Sequence, residues 1–424
     1  MGSVVDRRTL IQHAGWGYFV LAFVARLPFA MMVVGLLTLT TSVTGSVALG
    51  GLASAAAGIG AVIAGPLVGD GVDRLGQRRI LVPLGLMNGG MLALFPLVVS
   101  LGGSAAPGMI VLVSGLIGAT APQAAAMSRS RIIALIQQRL HPELRDRTFT
   151  RAMSYESAAD ETAFVIGPVL VGVLASFIAP WAPIAIAAAL SIVFVSAFAL
   201  HPTATVTTGN RERGARAPFT ALLRPRILVL VGGTFGVGLF FGSALTSLTA
   251  FLERSGEGAQ AGLIYGLMGI GSAVLALAVA AFPARFTMRW RWIAFSATMT
   301  VTAGLYAMVG TVSAATLLIV LMGLGVGPTL VTIFSLAGAR SPEGRSATTM
   351  TMLGSALTLA QALAAAITGA VAESVSVGVA MLFPAAAAML VTVCGLLNAR
   401  VRTAEVALPE RTNPAVTGTS GVLR

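Results

Sequence analysis

Twelve times along this chain, a run of about 20 mostly apolar residues, the length that carries a helix across a bilayer, is closed by a short polar break. The runs fall near residues 16–38, 47–71, 80–100, 108–130, 152–178, 181–200, 226–250, 259–283, 291–310, 313–337, 347–371 and 377–398. In lipid every backbone polar group must be satisfied within the structure, which leaves helices and closed barrels as spanning elements. Runs of this length exclude barrel strands, which need only about 9–11 residues. The expected fold is therefore an all-α polytopic membrane protein with twelve transmembrane helices. The first run is too long for the apolar core of a signal peptide, and no small-residue cleavage site with a soluble chain follows it.

Composition agrees. Only 10% of the 424 residues are charged, against about 25% in soluble domains. The net charge of +12 does not indicate nucleic acid, because the basic residues stand singly or in small groups between apolar runs. There is no lysine, so all 27 basic residues are arginine, and with so much Ala, Gly and Val this resembles the coding bias of a GC-rich bacterial genome. All the arginines but Arg26 and Arg254 fall at the termini or in alternate loops. By the positive-inside rule, this puts both termini in the cytoplasm, and the expected location is a bacterial plasma membrane. Trp16, Trp181, Trp290 and Trp292 lie at run ends, where aromatic belts form.

Several chemistries are excluded. Cys394 is the only cysteine, so no intrachain disulfide forms. His13, His141 and His201 are scattered at run edges and in loops and make no metal site. Without lysine there is no Walker-type phosphate loop. No cofactor is expected.

The chain repeats itself. "GIGAV" at Gly58 returns as "GIGSAV" at Gly269, and the same offset relates Arg74 to Arg285 and Arg78 to Arg289. "HPELR" at His141 resembles "SPEGR" at Ser341, and Pro122 matches Pro328. The longest internal polar stretch divides the matching parts. The expected organisation is a first six-helix half (1–200), a cytoplasmic central loop (201–225), a second six-helix half (226–400) and a tail (401–424) with no order of its own. Duplicated halves with a solute site between them are a secondary-transporter architecture.

The stretch "GDGVDRLGQR" resembles the loop 2–3 signature of the major facilitator superfamily, roughly G-x-L-a-D-R-x-G-R-K. Gly69, Asp73, Arg74, Gly76 and Arg78 match; Gly71 stands for the usual Leu and Gln77 for the usual Arg. The resemblance implies a latch that holds the halves together on the cytoplasmic side. "AFVIGPVLVG" resembles the superfamily's antiporter signature at Gly167, Pro168 and Gly172, with departures at Ala163 and Val171. That signature implies an efflux-type member, such as a drug:proton antiporter. The arginine usual midway along helix 4 of those antiporters is absent from "LVSGLIGATAPQ".

Arg26 lies about ten residues into the first run, where a charge costs at least about 2.5–3.5 kcal/mol. It is expected to face the bundle interior and to meet a carboxylate of the fifth run. There Glu156 and Asp160 share a face, with Glu161 about 100° round. Arg129 or Arg131 is the expected partner of Glu156 or Asp160, leaving Glu161 for Arg26. Asp160 or Glu161 then acts either in a static ion pair or as a proton switch. Helices lining the cavity in the resembled family carry Phe29, Gln123, Phe240, Phe241 and Gln361 here. The expected partners are a small hydrophobic or amphipathic solute, protons and the lipid bilayer, with the protein a monomer and no nucleic acid. Proton-coupled efflux is the expected function. The alternatives are import of a small metabolite and a non-transporting sensor on the same fold.

Overall fold

The computed structural model describes residues 9–102, 107–207, 217–257, 260–283 and 285–400; the proposed tail lies outside them. Among the described residues there are helices and turns but no strands. The crossing segments are α1 (Trp16–Thr44), α2 (Val47–Leu75), α3 (Gln77–Gly102), α4 (Pro107–Arg139), α5 (Pro142–Phe177), α6 (Ala182–Leu200), α7 (Pro225–Arg254), α8 (Ala261–Ala281), α9 (Met288–Tyr306), α10 (Val312–Arg340), α11 (Ser346–Ser374) and α12 (Val377–Arg400). Eleven of them are both long and apolar enough to span a bilayer. The other is α9, whose 19 residues open with Met288, Arg289, Trp290, Arg291 and Trp292. It packs between α10 and α12, completing the expected count of twelve.

Three helices depart from the expected runs. α1 breaks at Ala25–Arg26, two residues before Pro28. α4 breaks at 120–123, where Pro122 cannot donate to a helix ladder. α5 begins ten residues before the fifth run and is 36 residues long, because the arginines that read as a loop lie on a helix projecting beyond the apolar layer. Trp292 is fully buried, and its indole donates to the Val391 carbonyl at 3.1 Å. It is core rather than belt, whereas Trp16, Trp181 and Trp290 are exposed.

The two halves repeat one packing device. A Cβ at Gly118 of α4 would lie 1.8 Å from the Ala57 carbonyl oxygen of α2; at Gly323 of α10 it would lie 2.3 Å from that of Met268 in α8. Without a hydrophobic effect between helices in lipid, such backbone contact is a main source of association.

Between the halves, α2 and α4 pack on α11, and α5 packs on α8 and α10. One buried cluster runs through the second half and into the arginine-rich end of the first; another is confined to the opposite end of the first half, around Met31, Leu36, Phe95 and Ile184. The halves share a core at one end of the bundle and have separate cores at the other.

Candidate gating and coupling site

α2 stops at Gly76, whose φ of +84° is a conformation glycine adopts without a Cβ penalty. Three residues earlier, Asp73 reaches the other half. Its carboxylate accepts from the Ala347 N–H at 3.0 Å, the Thr348 N–H at 2.7 Å and the Thr348 hydroxyl at 2.6 Å. α11 has no side-chain cap of its own, Arg345 being the cap residue. Asp73 thus caps α11 from outside, satisfying N–H groups that a helix start leaves open and placing a negative charge at the positive end of the helix dipole. Such caps contribute about 0.5–2 kcal/mol. The approach requires Gly69, where a Cβ would stand 2.3 Å from Thr351 Oγ1 and 2.8 Å from Thr348 Cα.

Asp70, one turn back, pairs with Arg345 of α11 and with Arg74, the latter at 2.7 Å. Arg345 is buried and also donates through Nε to the Ala217 carbonyl at 2.9 Å. Arg74 stays on its own helix, and Arg78 donates to the Leu200 carbonyl at 3.3 Å. Gln77 is buried: its Oε1 accepts from Arg131 at 2.5 and 2.8 Å, and its amide donates to Met127 O and Ser130 Oγ. The departure at Gln77 therefore has a partner in α4. Arg131 completes its set with the Phe198 carbonyl at 2.9 Å and Thr203 at 3.2 Å, and meets no carboxylate of α5. Beside it, His201 hydrogen-bonds Thr203 at 2.9 Å; burial, and then the Arg131 charge, hold its pKa below the ordinary histidine value.

Arg26 sits at the break in α1, 4% exposed, and faces the interior. Its partners differ from the expected one. It bonds Glu156 and pairs with Asp160 at 2.8 Å, while Arg129 takes the other Asp160 oxygen at 2.5 Å and lies 3.8 Å over the Phe334 ring of α10. Glu156 also accepts from Ser128 at 2.9 Å, and Ser128 meets Tyr18 at 3.0 Å. The face shared by Glu156 and Asp160 is thus the one turned toward α1 and α4. Glu161, 100° round, is turned to α8 in the other half. The residue is 8% exposed, and both carboxylate oxygens are buried without a hydrogen-bond partner; Ser272 of α8 stands opposite, near enough to interact but outside hydrogen-bonding geometry. Two arginines and two carboxylates balance, and Glu161 is a fifth ionisable group with no ion pair among the described residues.

Gly167 brings α5 against α1, where a Cβ would lie 2.7 Å from Ala30 Cβ; Pro168 is inside α5, and Gly172 meets nothing within 4 Å. Phe29 packs edge-on to Phe164 at 6.5 Å. Phe240 has no exposed surface, so it lines no open cavity in this state; Phe241 beside it is half-buried. Gln123 stands at the start of the second part of α4 without a side-chain capping bond, near Gly65 of α2, and Gln361 lies where α11 touches Gly242 of α7.

Sequence reasoning gave Asp70 and Arg345 no role and left Glu156 and Arg129 to a bland ion pair. The signal for the first was the one-turn spacing of Asp70 and Asp73, and for the second the repeated "SPEGR".

Residues 18–365 match the family model described as Major Facilitator Superfamily. Among solved structures, the human organic anion transporter MFSD10 (TETRAN) matches with TM-score 0.65 and 17% identity, covering 90% of this chain and 97% of that one. A bacterial homologue of the iron transporter ferroportin in an outward-facing state matches with TM-score 0.70 and 15% identity, covering 90% and 98%. No curated protein matches in sequence.

Proposed function

Because the chain belongs to the major facilitator superfamily and is a transporter rather than an enzyme, we propose that it exports a small hydrophobic or amphipathic solute from the cytoplasm in exchange for protons, with both termini cytoplasmic. The observation that carries this reading is the difference between the two ends of the bundle. At the arginine-rich end the halves are joined by polar contacts that water can replace, Asp73 on α11 and Asp70 on Arg345. At the other end their buried clusters are separate. Such a molecule alternates access by releasing one set of contacts, and the asymmetric arginine content supports the joined end as the cytoplasmic one.

Glu161 is the proposed proton carrier. It lies on the surface between α5 and α8, so its access to water differs between halves together and halves apart. A proton there brings the five-residue charge cluster to neutrality without disturbing the pairs of Arg26 and Arg129. Export rather than import rests on the likeness of Gly167, Pro168 and Gly172 to the antiporter signature.

The test is a solute panel in everted membrane vesicles with a pH-sensitive dye. Solute-dependent proton release is expected, lost in Glu161→Gln while a solute gradient alone still equilibrates. Undiminished proton movement in Glu161→Gln sinks the assignment, and solute movement that ignores an imposed pH gradient sinks proton coupling altogether.

A further inference from the structure

Gly71, the family's usual leucine, takes no part in gating, yet it shapes the outer surface. α2 turns Gly65 and Gly69 toward α11. A position two residues away is about 200° round a helix, so Leu67 and Gly71 face away from the other half, toward lipid. There a groove of about 330 Å³ opens between α2 and α3, lined by Leu67, Val68 and Gly71 on one side and Ile80, Pro83 and Met87 on the other, with almost no polar surface. Leu67 is 69% exposed and Met87 52% exposed, so it opens outward. A Cβ at Gly71 would stand 3.3 Å from Ile80 Cδ1, and a leucine side chain there would fill the trough.

Helical register places two cations at the end of this trough. On α2 the stripe 67, 71 continues to Arg74; on α3 the stripe 87, 83 begins at Arg79. The Arg74 side chain is 62% exposed, Arg79 is exposed, and both stand at the arginine-rich end, where headgroups lie.

We propose that this groove binds one anionic phospholipid of the surrounding leaflet, an acyl chain lying in the trough and the phosphate bridging Arg74 and Arg79. An apolar channel that ends in two guanidinium groups fits that chemistry, because guanidinium forks match phosphate oxygens and anionic leaflets attract basic groups at the membrane face. The site has a consequence for gating. Arg74 is paired with Asp70, which also holds Arg345 across the halves. A phosphate that engages Arg74 competes with Asp70 for it and leaves the carboxylate to Arg345, strengthening the contact between halves.

Native mass spectrometry of the full chain with dioleoyl phosphatidylglycerol or dioleoyl phosphatidylcholine reads lipid retention without transport, so the outcome is independent of solute, direction and proton. Wild type is expected to keep one phosphatidylglycerol more firmly than phosphatidylcholine. Gly71→Leu, which fills the trough, and Arg74→Gln/Arg79→Gln, which removes the phosphate partners, should each lower retention about fivefold or more. Gly262→Leu, at a site where a Cβ meets nothing, should leave it unchanged. If Gly71→Leu does not fold, Val68→Phe fills the same trough from the other wall. Equal retention in the groove-filling variant overturns the proposal, as does loss in the arginine variant alone. Displacement of the lipid by glycerol phosphate equally overturns it, because the site would then be one for a free phosphate.

Discussion

At the end of α2 a carboxylate caps a helix of the other half. At the matching end of α8 the sequence has Ala284 and Thr287 where α2 has Asp73 and Gly76, and Phe282, Phe286 and Phe295 form a ring cluster with centroids 5.7–6.0 Å apart. Just before it, the last turn of α8 packs on α5. The helices these ends meet also differ. α11 starts late because Gly344 takes φ +66° and breaks the chain out of helix, leaving the Ala347 and Thr348 N–H groups open. In the first half Leu144 occupies that place, α5 starts at Pro142, and the N–H groups of Arg147 and Thr148 are used inside the helix. A latch needs a free helix start as well as an acid, and only one of the two duplicated sites has both. One site is therefore closed across the halves by charge, whereas at the other the aromatic rings pack within the second half.

The largest way to break the comparison is to remove the charge on which the first half depends. Arg26→Ala leaves Glu156 and Asp160 with Arg129 alone and should lower stability by about 3–5 kcal/mol, read as thermal unfolding in detergent. Arg26→Ala/Glu156→Ala restores the balance and should recover part of the loss; strictly additive losses would show that the cluster does not act as a unit. Gly344→Leu gives the second half the residue of the first. It places a side chain at a left-handed position, costing about 1–2 kcal/mol, and should open the arginine-rich end. Ser355→Cys, facing Gly65 across the halves, reports this by maleimide labelling in a Cys394→Ser background. Labelling no faster than the parent would break the account of the late helix start.

Asp73→Asn keeps one acceptor and loses the charge. It should shift the same labelling by about 1 kcal/mol, roughly fivefold, and slow turnover, with no further effect in a Gly344→Leu background. Ala284→Asp adds the acid to the other copy, where no open helix start waits, and should leave labelling unchanged; a slowing there would mean that an acid alone suffices. The smallest effect concerns His201. Its pKa is held below the ordinary value by burial and Arg131, so the folded protein resists a proton that the unfolded chain accepts. Stability should fall as pH drops through about 6.5 and level off below the folded pKa. His201→Gln should flatten unfolding temperatures in that window, and an unchanged slope would remove His201 as its source.

The crossing helices were legible because lipid demands long apolar runs, and the latch acid because its stretch resembles a known signature. The reach of α5 was not: Arg145, Arg147 and Arg151 read as loop, although charge is compatible with a helix beyond the bilayer. Periodicity put Glu156 and Asp160 on one face and Glu161 on another, but spacing cannot say which face a helix turns inward. For that reason Glu161 was expected opposite Arg26, which instead meets Glu156 and Asp160. Gly71 and Gln77 read as departures from a pattern, and only their neighbours, Ile80 and Arg131, show how each is accommodated.

The length of α5 has a mechanical meaning. Gly269 of α8 lets Val165 of α5 come close, a Cβ there standing 2.7 Å from Val165 Cγ2. With that contact as a fulcrum, Pro142 lies roughly 35 Å along the rod and Glu161 only about 6 Å, at 1.5 Å per residue. A tilt of about 10° then sweeps the tip by about 6 Å and the carboxylate by about 1 Å. The far arm of this lever has the travel needed to part a gate, while the short arm gives Glu161 little displacement for the same torque.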